Sequence, residues 1–195
     1  MKRLRTVCVV TAVSVFATLG VALAQGPPPT PKPGPEHEHL KKDEGKWDAV
    51  VEMFEEPGKP AQTSKGVETN TLMVGGLWLV SEFKGEVAGA PFEGHGITGY
   101  DANKKKYVGT WADSMSTGLS TIESTYDSGS KTLTGWIEGP DPSGKMMKMK
   151  TVTEWKDDNT RVVSFHMQGP DGKEMLGMRI TYKRAPNAKG TRDRF

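Results

Sequence analysis

Four histidines, ten methionines and a large set of carboxylates are the side chains here whose types support chemistry. Glu36-His37-Glu38-His39 sets two imidazoles two residues apart, between acids. In an extended segment that spacing puts both rings on one face, where Zn²⁺ or Cu²⁺ can be chelated. The competing reading is structural: a short turn over 36–44 plugs the mouth of a fold, with Leu40 tucked under Trp47. The plug is the expectation, because a tight metal site needs three or four ligands on a rigid support and no third ligand lies nearby. His95 in "EGHGITGY" and His166 in "SFHMQ" stand alone, and alternation groups His95 with Ile97 and His166 with Val162. Either histidine is a candidate to point into a cavity, although a lone histidine is commonly a hydrogen-bonded structural residue.

The methionines concentrate at Met146-Met147-Lys148-Met149, with Met115, Met167, Met175 and Met178 elsewhere. Thioethers suit Cu(I), and they also form an adaptable apolar lining. No Met-x-x-Met-x-x-Met run recurs, so lining is the expectation. Local enzymatic motifs are missing. "ADSMSTG" lacks the first glycine of a nucleophile elbow, and there is no His-Glu-x-x-His and no phosphate-cradling loop. The glycine pairs in "GHG" and "GEVAG" read as strand bends.

The elements that must position these residues are strands. Trp47, Ala49, Val51 and Met53 alternate with Asp48 and Glu52. Leu79 and Phe83 alternate with Glu82 and Lys84, and Leu176, Met178, Ile180 and Tyr182 alternate with Gly177, Arg179, Thr181 and Lys183. Period two over five to eight residues marks half-buried strands. Turn chemistry separates them, as at Glu56-Pro57-Gly58, Gly75-Gly76, Gly89-Ala90-Pro91, Asp157-Asp158-Asn159 and Gly169-Pro170-Asp171-Gly172. "GYDANKKKYVGTW" and "STYDSGSKTLTGW" repeat one hairpin pattern, in which an Asp caps a tight turn.

Ten strands are predicted, near 46–54, 63–73, 77–87, 92–100, 105–112, 118–126, 131–138, 146–155, 161–168 and 174–183. A meander of this kind removes its exposed edges best by closing. The predicted fold is all-β: one closed antiparallel meander barrel of about 8–10 strands with a short N-terminal helical plug, wide enough inside for side chains or one small ligand. The chain is 35% hydrophobic, and Thr69, Thr71, Thr121, Thr125, Thr134, Thr151 and Thr153 occupy strand positions. They read either as part of a partly polar, hydrated or ligand-filled interior or as residues facing solvent.

Outside that domain, Met1–Arg5 is basic, Thr6–Ala24 is apolar, and Ala22-Leu23-Ala24 has the small-x-small pattern of a cleavage site. A cleaved signal peptide over 1–24 and a secreted or periplasmic protein are expected; a retained membrane anchor is the alternative. The mature chain then has no cysteine, since Cys8 is the only one. Removing Lys2, Arg3 and Arg5 from the 26 basic residues leaves 23 against 24 acids, a net charge of about −1. No basic patch suggests nucleic acid as a partner, and no membrane association is expected after cleavage. Residues 25–35 form a proline-rich linker, 36–184 the barrel domain and 185–195 a loose tail.

Gly45-Lys46-Trp47 resembles the Gly-x-Trp signature of lipocalins, where the Trp packs under the barrel floor behind a short helical turn. The blocks "EHEHLKKDEGKWDAVVEM", "GGLWLVSEFKGE", "PFEGHGITGYDANKKKYVGTWADSMSTG" and "GPDGKEM" resemble an uncharacterised bacterial family with a lipocalin-like, calycin-type barrel, the domain of unknown function numbered fifteen seventy-nine. The resemblance implies structural roles for Gly45 and Trp47 and brings no catalytic residue, metal or cofactor. The function expected is binding of a small apolar or amphipathic molecule in the barrel cavity, with His95, Tyr100, Trp111, Met115, Met147, Met149 and His166 as candidate contacts. The alternatives are an enzyme using His95 and a nearby acid as a general acid–base pair, and a closed structural or interaction module.

Overall fold

Alternation along the chain becomes the two faces of a single sheet that closes on itself. The computed structural model describes residues 30–186 apart from Pro57, Ala88, Pro170 and Asp171. The expected signal peptide, residues 25–29 of the proline-rich linker and residues 187–195 of the tail lie outside the described residues. Helix α1 (His37–Asp43) precedes ten strands: β1 (Gly45–Met53), β2 (Gln62–Met73), β3 (Trp78–Val87), β4 (Ala90–Asp101), β5 (Lys106–Asp113), β6 (Ser120–Asp127), β7 (Thr132–Pro140), β8 (Met146–Asp157), β9 (Thr160–Gln168) and β10 (Glu174–Arg184). Every observed strand end lies within two residues of its predicted place. Each strand pairs antiparallel with its neighbours in sequence, and β1 pairs with β10 to close a lipocalin-like barrel.

The turns follow their side chains. Asp101 Oδ1 accepts the N–H groups of Asn103 and Lys104 at 2.9 and 3.1 Å. Asp127 Oδ1 accepts the N–H of Gly129 at 2.9 Å, and its Oδ2 accepts the Ser130 hydroxyl. The repeat extends to the backbone, since Lys105 and Lys131, five residues after each Tyr, both have φ 53°. It ends at the tryptophans. Trp111 is eleven residues after Tyr100 and Trp136 is ten after Tyr126, and this one-residue difference sends Trp111 inward and leaves Trp136 exposed.

Register decides which residues face inward. Trp47, Ala49 and Val51 of β1 oppose Arg184, Tyr182 and Ile180 of β10, and Trp47, Ala49, Val51, Phe83, Ile180 and Tyr182 form one buried cluster. Leu40, Leu79 and Tyr107 form a second cluster under the helix. Leu40 therefore packs away from Trp47, contrary to the expected contact. A seven-residue helix is too short to be stable alone; α1 is held by Leu40 and His39, both buried, and by the Tyr107 hydroxyl, which donates to the Glu36 carbonyl at 2.9 Å. Five of the seven threonines, at 69, 71, 121, 125 and 134, are exposed. Thr151 and Thr153 share the inward register of Trp155, so the interior is less polar than the threonine count suggested.

One departure from strict alternation has a local cause. Leu176 was expected to share a face with Met178, but a bulge between them pairs Leu176 with His166. A Cβ on the intervening Gly177 would lie 2.3 Å from Met167 Cε, so a side chain here would require the methionine tip to shift.

Candidate functional site

The inward-facing positions divide along the barrel axis. Toward α1, Trp47 is 0% and Val51 1% exposed, while Leu72, Tyr100, Tyr126, Leu133 and Trp155 keep partial access. Toward the other end, Met53, Phe92, Trp111, Met149, Phe165 and Met178 have inward register and are also partly accessible. This half of the interior, opposite the helix and walled by methionine and aromatic groups, is termed the cup. Trp111 lies flat against β4 because nothing stands in its way. A Cβ on Gly94 would sit 2.2 Å from its Cζ2, and one on Gly96 2.8 Å from its Cε3. The "GHG" pair is therefore the seat of an indole. Trp111 Nε1 donates to Asp113 Oδ2 at 3.0 Å, and Asp113 Oδ1 accepts the Met115 N–H at 2.9 Å, which fixes the ring at the rim.

Of the candidate contacts, Trp111, Met147 and Met149 have inward register on the cup half. Tyr100 also faces inward, but at the helix end, where its ring is 5.2 Å from that of Tyr107. Met115 lies in the loop after β5 and is 41% exposed. The two lone histidines face outward, because odd and even positions exchange faces in a strand. His95 is exposed on the outer wall between Glu93 at 3.4 Å and Glu82 at 4.0 Å. His166 stands opposite Lys150 on the outer wall, 3.4 Å from Glu174. Both His–carboxylate pairs are thus outside the cavity. Sequence reading missed Met53, Phe92, Ile122, Ile137 and Phe165 in the cup. Their alternation was legible; their facing one cavity required the closure.

The floor beneath the cup is ionic. Arg161 of β9 bonds Asp43 Oδ2 at 3.1 Å and Glu68, and all three are buried. Asn70 donates to Glu68 Oε1 at 2.8 Å and to the Asp43 carbonyl at 3.1 Å. Trp155 Nε1 donates to Asp43 Oδ1 at 3.2 Å, and Trp47 Nε1 to the Asp43 carbonyl at 3.0 Å. The Arg161 guanidinium lies 4.2 Å from the Tyr182 ring centre and 5.0 Å from that of Trp47. Arg184 is 4.1 Å from the Trp47 ring, and its two terminal nitrogens bond the Glu44 and Lys42 carbonyls at 2.7 Å. Trp47 is thus sandwiched by cations. Burial pushes the Asp43 carboxyl up, with Glu68 adding to this against the pull of Arg161. Burial, then Glu68, raises the Tyr182 hydroxyl well above its ordinary value. Among the described residues Asn70 Oδ1 and Arg161 Nε are buried without a partner. The bonds to Asp43 from Arg161, Asn70, Trp155 and Trp47 tie helix to barrel, which makes this cluster a fastening of the plug.

The histidines of the opening motif separate. On a helix, positions two apart diverge by about 200°, so they share no face. His37 Nδ1 accepts the Gly34 N–H at 3.0 Å. His39 is buried beneath the barrel, its ring centre 4.2 Å from Trp155 and 4.3 Å from Tyr126. Among the described residues no three His, Cys, Asp or Glu side chains converge as a metal site.

Residues 32–184 match the family described as "Protein of unknown function (DUF1579)". No curated protein matches the sequence. Two solved structures share the fold. Rv2717c from M. tuberculosis is 12% identical with a TM-score of 0.57, over 78% of this chain and 99% of that one. The S-type phycobiliprotein lyase CPES from Guillardia theta is 9% identical with a TM-score of 0.51, over 77% and 93%.

Proposed function

The chain belongs to the family "Protein of unknown function (DUF1579)", and from that premise we propose that it is an exported barrel that binds a small apolar or amphipathic molecule in its cup. One observation carries the reading: Met53, Phe92, Trp111, Met149, Phe165 and Met178 face the barrel interior yet stay partly accessible. A fold whose interior served only as a core would bury them, since full burial of an apolar side chain stabilises by about 1.5–3 kcal/mol. The lining supports an apolar guest, because thioethers and aromatic rings adapt to shape and offer few polar contacts. A similar barrel occurs in a protein named an S-type phycobiliprotein lyase; for this chain the ligand class rests on the lining alone.

Export rests on the order basic Met1–Arg5, apolar Thr6–Ala24 and Ala22-Leu23-Ala24, and on a chain with no cysteine after Cys8. N-terminal sequencing of the exported protein tests it: Gln25 is the expected first residue, and an intact Met1 refutes it.

The binding test uses N-phenyl-1-naphthylamine, a neutral apolar dye, with native mass spectrometry of protein from its own host to find a natural ligand. Saturable dye fluorescence with a Kd of about 1–10 µM is expected. Met149→Glu, which puts a charge on the inward face of β8, should weaken it by at least about tenfold. Trp136→Phe, on the outer face of β7, should leave it unchanged. Equal dye binding by the protein and Met149→Glu refutes the cup.

A further inference from the structure

A second pocket lies below the barrel, outside the cup. Four segments converge on it: the last turn of α1, the β6–β7 hairpin, the β8–β9 hairpin and the end of β10. Together they enclose about 370 Å³, within the range of small-molecule sites. Its inner wall is His39, flanked by Tyr126 and Trp155.

His39 is the unusual group. It is 8% exposed, its neighbours are ring faces and edges, and its side chain makes no hydrogen bond to any described residue. The ring nitrogens are not sealed in the core, since the sealed unpartnered atoms among the described residues are Asn70 Oδ1 and Arg161 Nε, and the ring lines the pocket. The imidazole is also neutral at ordinary pH. Burial first, and then Lys42 and Arg161, lower its pKa to about 4. It therefore offers one N–H donor and one acceptor to whatever fills the pocket.

The rim carries charge of both signs. Lys41 pairs with Glu38 at 3.7 Å, and Arg184 is committed to the carbonyls of Lys42, Glu44 and Asp158. Asp157 Oδ1 accepts the Asn159 N–H at 2.7 Å, while Glu44 and Asp158 add two further acids. Lys42 and Lys131 line the pocket with no carboxylate partner among the described residues. Lys131 is held there by the hairpin, with φ 53°.

We propose that this pocket binds a small aromatic carboxylate, its ring against Trp155 and Tyr126, its carboxylate toward Lys42 and Lys131, and an oxygen accepting the His39 N–H. The donors are neutral or cationic, the walls are aromatic, and the volume suits a single ring. The site is independent of the cup and stands or falls apart from it.

The probes are benzoate, benzyl alcohol, which keeps the ring without the charge, and inorganic phosphate, which keeps the charge without the ring. Binding is followed by calorimetry and by NMR of the histidine ring signals. Benzoate should saturate with a Kd of about 1 mM or tighter, with the other two at least about tenfold weaker. Only the His39 signals, among those of the four histidines, should move, and the His39 pKa should rise when benzoate is saturating. Lys42→Gln with Lys131→Gln, both at the surface and outside the folding core, should weaken benzoate about tenfold and leave benzyl alcohol unchanged. Met149→Glu should not alter benzoate binding here. Equal binding of benzoate and benzyl alcohol, equal binding of phosphate, indifference to the lysine changes, or an unmoved His39 would each overturn the proposal.

Discussion

Acid should weaken this fold through His39, and the size of the effect follows from its burial. Its folded pKa is lowered to about 4 from an ordinary 6.5, first by desolvation and then by Lys42 and Arg161. The unfolded chain takes up this proton below about pH 6.5, while the folded chain refuses it until about pH 4. Above that window both states are neutral and the group is silent. Within it the unfolded state binds more protons, so stability falls as pH falls, by 1.36 kcal/mol per unit. Over roughly 2.5 units the loss sums to about 3 kcal/mol. Other groups also titrate there. Asp43 acts in the opposite sense, because its raised pKa lets the folded state take a proton first. The variant His39→Phe isolates the histidine, since Phe keeps an aromatic ring between Tyr107, Tyr126 and Trp155 and cannot titrate. Urea unfolding of both proteins, followed by tryptophan fluorescence from about pH 7.5 to about pH 4, gives the difference curve. The variant should gain about 3 kcal/mol relative to the parent across that range. A difference that stays flat within about 0.5 kcal/mol would mean that His39 is solvated or partnered, and that its burial has been misjudged.

Trp47→Ala should cost about 3–5 kcal/mol in denaturant titration, because the ring is 0% exposed and lies beneath two guanidinium groups; a cost below about 1 kcal/mol would remove the floor from the argument. Arg161→Met should destabilise by about 3–5 kcal/mol by leaving Asp43 and Glu68 buried without their cation, and the loss should shrink in acid as Asp43, whose pKa burial raises, takes up a proton. Gly94→Ala should displace the Trp111 ring, alter the near-ultraviolet circular dichroism and cost about 1–3 kcal/mol; an unchanged spectrum would show that the indole lies elsewhere. Calorimetry with Zn²⁺ should find at most micromolar affinity at His37 and His39, since the helix turns them apart; a nanomolar site abolished by His37→Ala with His39→Ala would refute this.

Much of the barrel was legible along the chain, because strand formation and turn closure are local. Period-two alternation from Trp47 to Met53 needs only neighbouring residues to define a face, and Asp101 and Asp127 cap their hairpins through atoms two or three positions away. What the chain could not display is which face of each strand meets the others. That depends on register across ten strands and on the bulge at Gly177, and it turned His95 and His166 outward while bringing Met53, Phe92 and Phe165 into one cup. Arg161 lies 118 residues from Asp43 and 93 from Glu68, so no local pattern marks their meeting. The helix at His37–Asp43 separated a pair of histidines that an extended segment would have aligned, and tertiary packing then buried one and left the other near the surface. Sequence by itself determined the strands and their turns, because those energies are paid between near neighbours. Only the tertiary structure decided the cup, the ionic floor and the pocket at His39, because each is assembled from residues brought together by barrel closure alone.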